Sequence, residues 1–208
     1  MSGAGERTSG TSGGAGRVIA GSARGVRLIA PGAVTRPLSD RVKQTLFAIL
    51  EPAIRGSTML DLFAGSGSAG IEALSRGAVR AIFVERDRTA AATVRDNLDR
   101  AHLAGPEARI IQRDAIDWLA SADARAHGPI DLVIVDPPYD QPQLLLAALE
   151  RLGGSSSPVP LGGIVVAKHF WRDQPPERIG LLASERARRF GDTALTFYRV
   201  VEPTEAPA

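Results

Sequence analysis

The sequence contains no cysteine, and its three histidines, His102, His127 and His169, are scattered along the chain. The absence of cysteine excludes disulfides, thiolate nucleophiles and zinc sites built on cysteine. The histidines do not have the close spacing that metal ligands on one helix or loop show. The sequence therefore predicts a protein that binds no metal.

The chain also lacks any run of 18 uninterrupted apolar residues, and its first 16 residues, MSGAGERTSGTSGGAG, contain no apolar segment. A membrane-spanning helix needs about 20 mostly apolar residues, and a secretory signal needs an apolar core. We therefore expect neither export nor contact with a membrane, and a cytoplasmic location.

Positive charge is concentrated near the amino terminus. Residues 17–43 carry six basic residues against one acid, Asp40, whereas 17 basic and 20 acidic residues lie from position 56 onward. A local positive field is typical of a surface that binds a polyanion such as nucleic acid. The alternative is an ordinary solvated arginine-rich face.

The composition, with 208 residues of which 44% are hydrophobic, predicts one globular domain with appendages. Residues 1–16 and 202–208 are predicted to be disordered tails. Residues 17–55 are predicted to form a basic β-hairpin, RVIAGSARGVRLIAP, and a helix that Ser39 caps and Pro52 ends. Residues 56–201 form the main domain.

The main domain alternates between strand-like and helix-like segments. The predicted strands are 58–63, 81–85, 108–112, 130–136 and 163–170, and the predicted helices are 68–76, 87–101, 115–120 and 141–152. Such alternation favours a parallel sheet covered on both faces, as in the Rossmann-like α/β folds. Two final strands that meet at Gly191 and Asp192 predict an antiparallel hairpin, which completes a mostly parallel seven-stranded sheet.

A glycine-rich loop follows the first strand of the main domain, in DLFAGSGSAG, residues 61–70. Its glycines fit the pattern G-x-G-x-x-G, and Glu85 ends the next strand where a ribose-binding acid would lie, so a nicotinamide dehydrogenase is one interpretation. Asp61, however, lies inside the strand, four residues before the first glycine. A carboxylate there suits a cationic group better than a pyrophosphate.

Asp114 follows the third strand, where a lone aspartate is also typical of a helix cap. Together with Asp61 and Glu85 it would form an acidic rim at the ends of three neighbouring strands. That rim suits a ligand with an ammonium group, ribose hydroxyls and an exocyclic amine, all of which S-adenosylmethionine has.

The fourth strand ends in VIVDPPYD, residues 133–140. Proline cannot donate to a strand ladder, so the strand stops there. Asp136, Pro137 and Pro138 could form a simple turn with Tyr139 packed over it. Their position after an apolar strand, in the same sheet as the glycine loop, favours a functional role.

Together, DLFAGSGSAG, Glu85, Asp114 and DPPY resemble the class I S-adenosylmethionine-dependent methyltransferases that modify exocyclic amines of nucleic acid bases. The stretches RVIAGSARGVRL, TRPLSDRVKQTLFAIL and GSGSAGIEALSRGA are similar to those of the bacterial 16S rRNA guanine-N2 methyltransferases of the RsmD type. The resemblance runs from about residue 17 to residue 201.

The resemblance implies roles for particular residues, with 16S rRNA or the assembling small ribosomal subunit as substrate and the enzyme as a monomer. The implied catalytic residues are Asp136, Pro137, Pro138 and Tyr139. The implied S-adenosylmethionine-binding residues are Arg36, Pro37, Asp61, Phe63, Ala64, Gly65, Gly67, Glu85, Asp114 and Ala115. The RNA-binding candidates are Arg17, Arg24, Arg27 and Arg41.

Three alternatives remain open at this point. A DNA adenine-N6 methyltransferase can use the same DPPY sequence, although such enzymes usually need a larger target-reading insertion. A nicotinamide dehydrogenase would leave DPPY without a function. A non-catalytic nucleic-acid-binding module predicts no cofactor binding.

Overall fold

The computed structural model describes residues 14–32 and 38–203 of the chain. The strands are β1 (Gly14–Arg17), β2 (Arg27–Ile29), β3 (Thr58–Leu62), β4 (Arg80–Glu85), β5 (Ala108–Gln112), β6 (Leu132–Val135), β7 (Ile164–Phe170), β8 (Arg178–Ile179), β9 (Leu182–Phe190) and β10 (Thr193–Val200). The helices are α1 (Asp40–Ile54), α2 (Ser68–Ser75), α3 (Arg88–Arg100), α4 (Ala115–Leu119), α5 (Ala122–Ala126) and α6 (Pro142–Leu152). Within these ranges no helix is both long and apolar enough to cross a bilayer.

The central sheet has the strand order β5-β4-β3-β6-β7-β10-β9-β8. The first five strands in this order are parallel, and β10 runs antiparallel to both β7 and β9. The predicted Rossmann-like α/β fold with an antiparallel carboxyl-terminal hairpin is therefore confirmed. The predicted number of strands, seven, is corrected to eight. The sequence did not reveal the eighth strand, β8, because it is only two residues long and shows no alternation of apolar and polar residues.

Alternate residues of the parallel strands face two layers of helices. Leu60, Val133 and Val165 belong to a core shared with α4 and α6. Met59 and Ile134 belong to a second core that includes the buried residues of α1. The near-continuous apolar sequences of β3 and β6 follow from this burial on both faces.

The amino-terminal hairpin packs on the outside of α2 and α3. Val18 and Leu28 are buried in a third core with residues of α2, α3 and β4. The side chain of Glu72, which is 0% exposed, accepts hydrogen bonds from the backbone amides of Ile19 at 2.7 Å and Ala20 at 3.1 Å. The hairpin is thereby fixed to the main domain through buried polar contacts as well as apolar ones.

Two sequence boundaries are corrected. The strand β1 begins at Gly14, inside the segment predicted to be a disordered tail, because Ala15 has a buried position to occupy. Residues 1–13 lie outside the described part of the chain. Helix α1 is capped by Ser39 as predicted but continues through Pro52 to Ile54. Pro52 lies in the last turn and is exposed, so the loss of its N–H removes one hydrogen bond without ending the helix.

Candidate active site

The carboxyl ends of β3, β4, β5 and β6 meet at one edge of the sheet. These strands are neighbours and parallel, so Asp61 in β3, Glu85 at the end of β4 and Asp114 beyond β5 are brought together with Asp136, which directly follows β6. This is the edge where ligands bind in open α/β sheets. The structure therefore assembles one site from residues 75 positions apart in sequence.

The glycine loop after β3 leaves room for a ligand. Phe63, Gly65 and Gly67 all have positive φ angles, 68°, 55° and 74°, so the chain turns sharply into α2. A Cβ at Gly65 would meet nothing within 4 Å, whereas a Cβ at Gly70 would lie 2.3 Å from Cε1 of Phe83. Gly70 is thus required for helix-to-sheet packing, while Gly65 borders open space at the edge of the sheet.

Glu85 is held rigidly at the end of β4. Its Oε2 accepts a hydrogen bond from the Gly65 amide at 2.8 Å, and its Oε1 accepts one from the Asp87 amide at 2.9 Å. Each carboxylate oxygen has a second lone pair, so both can still accept hydrogen bonds from two neighbouring hydroxyl groups. The glycine loop and the candidate ribose acid are therefore one hydrogen-bonded unit.

Asp61 is buried, with 3% exposure, and its Oδ2 accepts a hydrogen bond from the Gly70 amide at 2.9 Å. Burial raises the pKa of Asp61 to about 7, its backbone hydrogen bonds oppose this, and the nearby carboxylates of Asp136 and Glu85 add to it. Within the described residues no cationic side chain forms an ion pair with Asp61. A bound ammonium group would supply the missing countercharge.

Asp114 is the cap of α4, the simpler of the two roles considered for it. Its Oδ1 accepts hydrogen bonds from the amides of Ile116 at 2.9 Å and Asp117 at 3.2 Å. The first amide of the helix, that of Ala115, has no acceptor among residues 14–32 and 38–203. This amide is available to a ring nitrogen of a ligand, since the first amides of a helix lack intrahelical partners.

Asp136 forms an ion pair that the sequence analysis did not identify. Nζ of Lys168, in β7, donates a hydrogen bond to Oδ1 of Asp136 at 2.6 Å, and the two side chains are 8% and 19% exposed. Burial lowers the pKa of Lys168, but Asp136 and Tyr139 raise it by more, so the lysine is charged. Burial raises the pKa of Asp136 and the ammonium of Lys168 opposes this, which favours a carboxylate.

Tyr139 is fixed on two sides beside this pair. Its hydroxyl lies 2.9 Å from Oγ1 of Thr193, at the start of β10, and Nζ of Lys168 lies 4.8 Å from the centre of its ring. The ring is still 37% exposed. Next to it is a cavity of about 310 Å³, bordered by Pro137, Pro138, Tyr139, Lys168, Phe170 and Pro176 among others.

The predicted RNA-binding arginines lie at different distances from the site. Arg17 forms an ion pair with Asp40 at 3.2 Å, and its carbonyl accepts a hydrogen bond from Lys43, so it lies beside the amino terminus of α1. Arg41 is in the first turn of the same helix and is exposed.

Arg27 pairs with Arg17 across the hairpin, and only Arg24, in the turn, lies toward the opposite edge of the sheet. The turn that contains Arg24 contacts Ser75 at the carboxyl end of α2, where Ser75 Oγ accepts a hydrogen bond from the Ala23 amide. The carbonyl of Arg27 accepts one from Arg100, the last residue of α3. Helix α2 begins at the candidate site, so Arg24 is one helix length away from it. Arg36 and Pro37 lie outside the described residues.

Lys168 and Thr193 are the site residues that sequence reasoning missed. Lysine is almost never buried without a partner, so a lysine inside the apolar strand GIVVAKHF was a detectable signal. Thr193 gave no such signal, because its role depends on the hairpin folding back beside DPPY.

The residues at this edge fit S-adenosylmethionine. Open space borders Gly65, a buried carboxylate lacks a cationic partner at Asp61, Glu85 presents fixed acceptors and Ala115 presents a free amide. These groups match the ammonium, the ribose hydroxyls and the adenine ring in that order. A pyrophosphate would instead bring negative charge against Asp61 and Glu85.

The chain is similar to several known proteins. Residues 16–199 match a family model described as conserved hypothetical protein 95. The chain is 39% identical over 184 residues to YlbH of Bacillus subtilis, named as a candidate rRNA methyltransferase, and the match covers 88% of this chain and 98% of that protein. It is 42% identical over 124 residues to the ribosomal RNA small subunit methyltransferase D of Haemophilus influenzae, covering 59% of this chain and 63% of that protein.

Solved structures agree on the fold. A structure titled as the methyltransferase yhhF of Escherichia coli, whose assignment is provisional, matches with a TM-score of 0.78 at 30% identity, covering 91% of this chain and 99% of that one. The fold is also that of an RNA methyltransferase from Salinibacter ruber solved with S-adenosyl-L-homocysteine, with a TM-score of 0.59 at 18% identity, covering 83% of this chain and 98% of that one.

Proposed function

The chain belongs to the conserved hypothetical protein 95 family, the family of the RsmD-type methyltransferases, and we propose that it methylates the exocyclic N2 amine of a guanine in 16S rRNA. Its class is that of the S-adenosylmethionine-dependent rRNA methyltransferases, which both the relatives and the fold support. The guanine, its N2 amine and the 16S molecule are the finer part of the proposal.

The observation that carries the proposal is the fixed carboxylate at the end of β6. Asp136 Oδ1 is occupied by Lys168, which leaves Oδ2 of Asp136 and the backbone carbonyl of Pro137 as two acceptors. Proline fixes the backbone of the turn. An exocyclic amine has two N–H groups, so two preorganised acceptors at this position match it.

Asp136 and Pro137 act on the target amine, which is the nucleophile of the reaction. The lone pair of an aromatic amine is delocalised into the ring, so the nitrogen is planar and a weak nucleophile. Two acceptors at Asp136 and Pro137 draw the N–H bonds out of the ring plane and turn the lone pair toward the methyl group. S-adenosylmethionine supplies a methyl group on a sulfonium. As the N–C bond forms and the S–C bond breaks, S-adenosylhomocysteine would leave and the carboxylate of Asp136, which accepts an N–H of the amine, would take the proton from the nitrogen.

Tyr139 and its neighbours hold the base. Its ring is locked by Thr193 and Lys168, and a base that stacks on such a ring gains roughly 1–3 kcal/mol. A base must leave its helix or loop to reach Asp136, which enzymes achieve by flipping the nucleotide. The cavity of about 310 Å³ beside Tyr139 provides the space.

The limited size of the protein bears on how it selects its target. The chain leaves little surface with which to read a long sequence, so the shape of a folded RNA or of an assembling particle must help to select the target. Arg17 and Arg41, which lie at the start of α1, are the predicted phosphate contacts closest to the site.

The decisive experiment identifies the methylated nucleoside. Labelled S-adenosylmethionine and the protein are incubated separately with small ribosomal subunits, stripped rRNA and duplex DNA from a strain that lacks the enzyme, and the products are digested. We expect N2-methylguanosine from the ribosomal material. N6-methyladenine from DNA would replace the proposal with the DNA methyltransferase alternative.

A pair of variants tests the role of Asp136 in the same assay. We expect Asp136→Ala to remove turnover and to leave S-adenosylmethionine binding nearly unchanged in calorimetry, because this carboxylate faces the amine. Asp140→Ala is the control, since Asp140 is an exposed acid four residues further along. Wild-type turnover in Asp136→Ala would disprove the mechanism.

A further inference from the structure

The carboxyl-terminal strand β9 has an uncovered edge that is rich in arginine. β10 pairs with β9 along one side, but β8 pairs only with Leu182 and Ala183 on the other. The five residues 185–189 are all exposed, and three of them are Arg186, Arg188 and Arg189. Sheet edges are commonly protected by charged side chains, so protection alone would account for some charge here. It does not account for the position of this charge.

The arginines lie at the same edge of the sheet as the candidate active site. β7 runs parallel to β6 and ends at Phe170, which pairs with Thr193, and Thr193 pairs in turn with Phe190. The turn between β9 and β10 is therefore next to the end of β7. The hydrogen bond between Tyr139 and Thr193 joins this hairpin directly to the DPPY turn.

One arginine shares the face of the sheet that bears the Lys168–Asp136 pair. Leu195 of β10 pairs with Lys168 on one side and with Arg188 on the other. Paired residues of neighbouring strands point to the same face, and two strand spacings amount to about 10 Å. The backbone of Arg188 is therefore about 10 Å from that of Lys168, a distance from which a long side chain can reach the phosphates that flank a base bound at Asp136.

The positive charge of the strand is available to a ligand. Arg188 donates to the Ala187 carbonyl at 3.0 Å and Arg189 to the Gly191 carbonyl at 2.9 Å, and neither forms an ion pair within the described part of the chain. The acid of the same strand, Glu185, is paired with Arg199. Among the acids of this hairpin, only Asp192 at the turn then remains to balance the charge of the three arginines.

Trp171 extends this surface toward the site. The guanidinium carbon of Arg189 lies 3.6 Å from the centre of the Trp171 ring, and that of Arg172 lies 4.9 Å from it. Contact with the ring holds the two guanidinium groups in defined positions. Ordered arginines lose less entropy on binding phosphate than free ones do.

From these observations we propose that Arg186, Arg188 and Arg189 form an RNA-binding surface that holds the phosphate backbone beside the target base. The proposal deepens the proposed function and rests on it. The turn of the amino-terminal hairpin carries Arg24 away from the site. The turn of the carboxyl-terminal hairpin, by contrast, lies at the site, so the arginines of β9 add an electrostatic contact to those of Arg17 and Arg41.

The test compares two triple variants that remove the same charge. In the first, Arg186, Arg188 and Arg189 are each replaced by Gln. In the control, Arg55, Arg109 and Arg151 are each replaced by Gln, because these arginines are exposed and follow the end of α1, begin β5 and end α6, away from the site. Thermal unfolding and S-adenosylhomocysteine calorimetry are expected to be unchanged in both.

RNA binding is then measured with an in vitro transcript of 16S rRNA and the protein saturated with S-adenosylhomocysteine, at a series of salt concentrations. We expect the β9 variant to bind at least tenfold more weakly at low salt. The slope of log K against log salt should fall by about 2, since each phosphate contact contributes about 0.7 on single strands. In methylation, the KM for RNA should rise while kcat at saturating RNA is retained.

The outcomes of these measurements decide whether the three arginines of β9 bind phosphate. Equal loss of binding in both triple variants would show a general charge effect and overturn the proposal, as would wild-type affinity in the β9 variant. Replacement of the three arginines by Lys should restore the salt slope, and failure to restore it would also overturn a phosphate role. If the wild-type protein binds the transcript but methylates no rRNA, the proposed function fails while the binding comparison still tests this surface.

Discussion

At the scale of single residues, the buried ion pair between Lys168 and Asp136 distinguishes this site from a simple turn. Burial raises the pKa of Asp136 and Lys168 opposes this, and a protonated carboxyl group is a poorer acceptor of N–H groups than a carboxylate. The lysine lies within β7, the neighbouring strand, so the sheet itself sets the geometry of the pair. Lys168 acts through Asp136 and Tyr139 and is therefore a positioning residue.

We expect Lys168→Met to lower the rate of methylation by about tenfold or more, because removal of one partner leaves a buried charge unsatisfied at a cost of about 1–3 kcal/mol. The acid limb of the pH–rate profile should move to higher pH, since the carboxyl of Asp136 would then hold its proton longer. Lys168→Arg, which keeps the charge, is the control and should show a smaller shift. An unchanged pH profile in Lys168→Met would show that the lysine has only a packing role.

Asp61 gives a second prediction at this scale. Its pKa in the folded protein, about 7, is above the value of about 3.9 for an unperturbed aspartate. The folded state therefore holds the proton more tightly than the unfolded state. The contribution of Asp61 to stability is greatest below about pH 4 and is lost as the pH rises to about 7.

We expect Asp61→Asn to remove this loss and to raise the free energy of unfolding of the ligand-free protein at pH 8 by an amount on the order of a few kcal/mol. The same variant should bind S-adenosylmethionine more weakly, because it lacks the carboxylate that we propose to face the ammonium group. Urea unfolding at pH 5 and pH 8, with calorimetry at pH 8, measures both effects. Lower stability and unchanged affinity at pH 8 would contradict the role given to Asp61.

At the scale of secondary-structure elements, the amino-terminal hairpin is a structural part of the domain. Glu72 and Lys43 are both 0% exposed, and both use backbone groups of residues 17–20 as partners. Burial lowers the pKa of Lys43, and the nearby Glu72 and Asp40 oppose this. Without the hairpin, two buried charged side chains would lose hydrogen bonds at the same time.

We therefore expect deletion of residues 1–30 to destabilise the whole fold, whereas the sequence alone predicted that it abolishes RNA methylation more than it harms the fold. The deletion removes Val18 and Leu28 from the core and exposes the apolar side chains of α2 and α3 on which they pack. At about 1.5–3 kcal/mol for each lost side chain the cost is about 3–6 kcal/mol, a large part of an ordinary stability of 5–15 kcal/mol. Thermal unfolding of this deletion is compared with that of a deletion of residues 1–13. Equal melting temperatures would show that the hairpin does not contribute to the core.

At the scale of the whole molecule, the cofactor site draws on the glycine loop, β4 and α4, so a bound cofactor should stabilise the domain as a unit. At a concentration one hundred times its dissociation constant, a ligand adds about 2.7 kcal/mol. For a chain of this size each kcal/mol raises Tm by about 2–4 °C. We expect S-adenosylmethionine and S-adenosylhomocysteine to raise Tm by roughly 5–10 °C and NAD to leave it unchanged. A shift with NAD alone would instead favour the dehydrogenase interpretation.

The sequence by itself determined the fold class, the order of the elements of the parallel sheet and the residues at the strand ends. These follow from local patterns: apolar runs between helices, a glycine loop after β3, and Asp, Pro, Pro and Tyr after β6. Parallel strands must end at a common edge, so the assembly of Asp61, Glu85 and Asp136 could be predicted. The cap role of Asp114 was also foreseeable as one of two possibilities, because capping depends only on the next three residues.

Only the tertiary structure decided which groups these residues contact. Lys168 pairs with Asp136 because β6 and β7 are neighbours, and Thr193 reaches Tyr139 because β10 turns back beside β7. The same long-range pairing places Arg188 near the site and Arg24 away from it, although both are exposed arginines in a hairpin. The local sequence pattern of a segment indicates whether it forms a helix or a strand and where that element ends. The distance between two side chains depends instead on strand order and register, which cannot be read from any single segment.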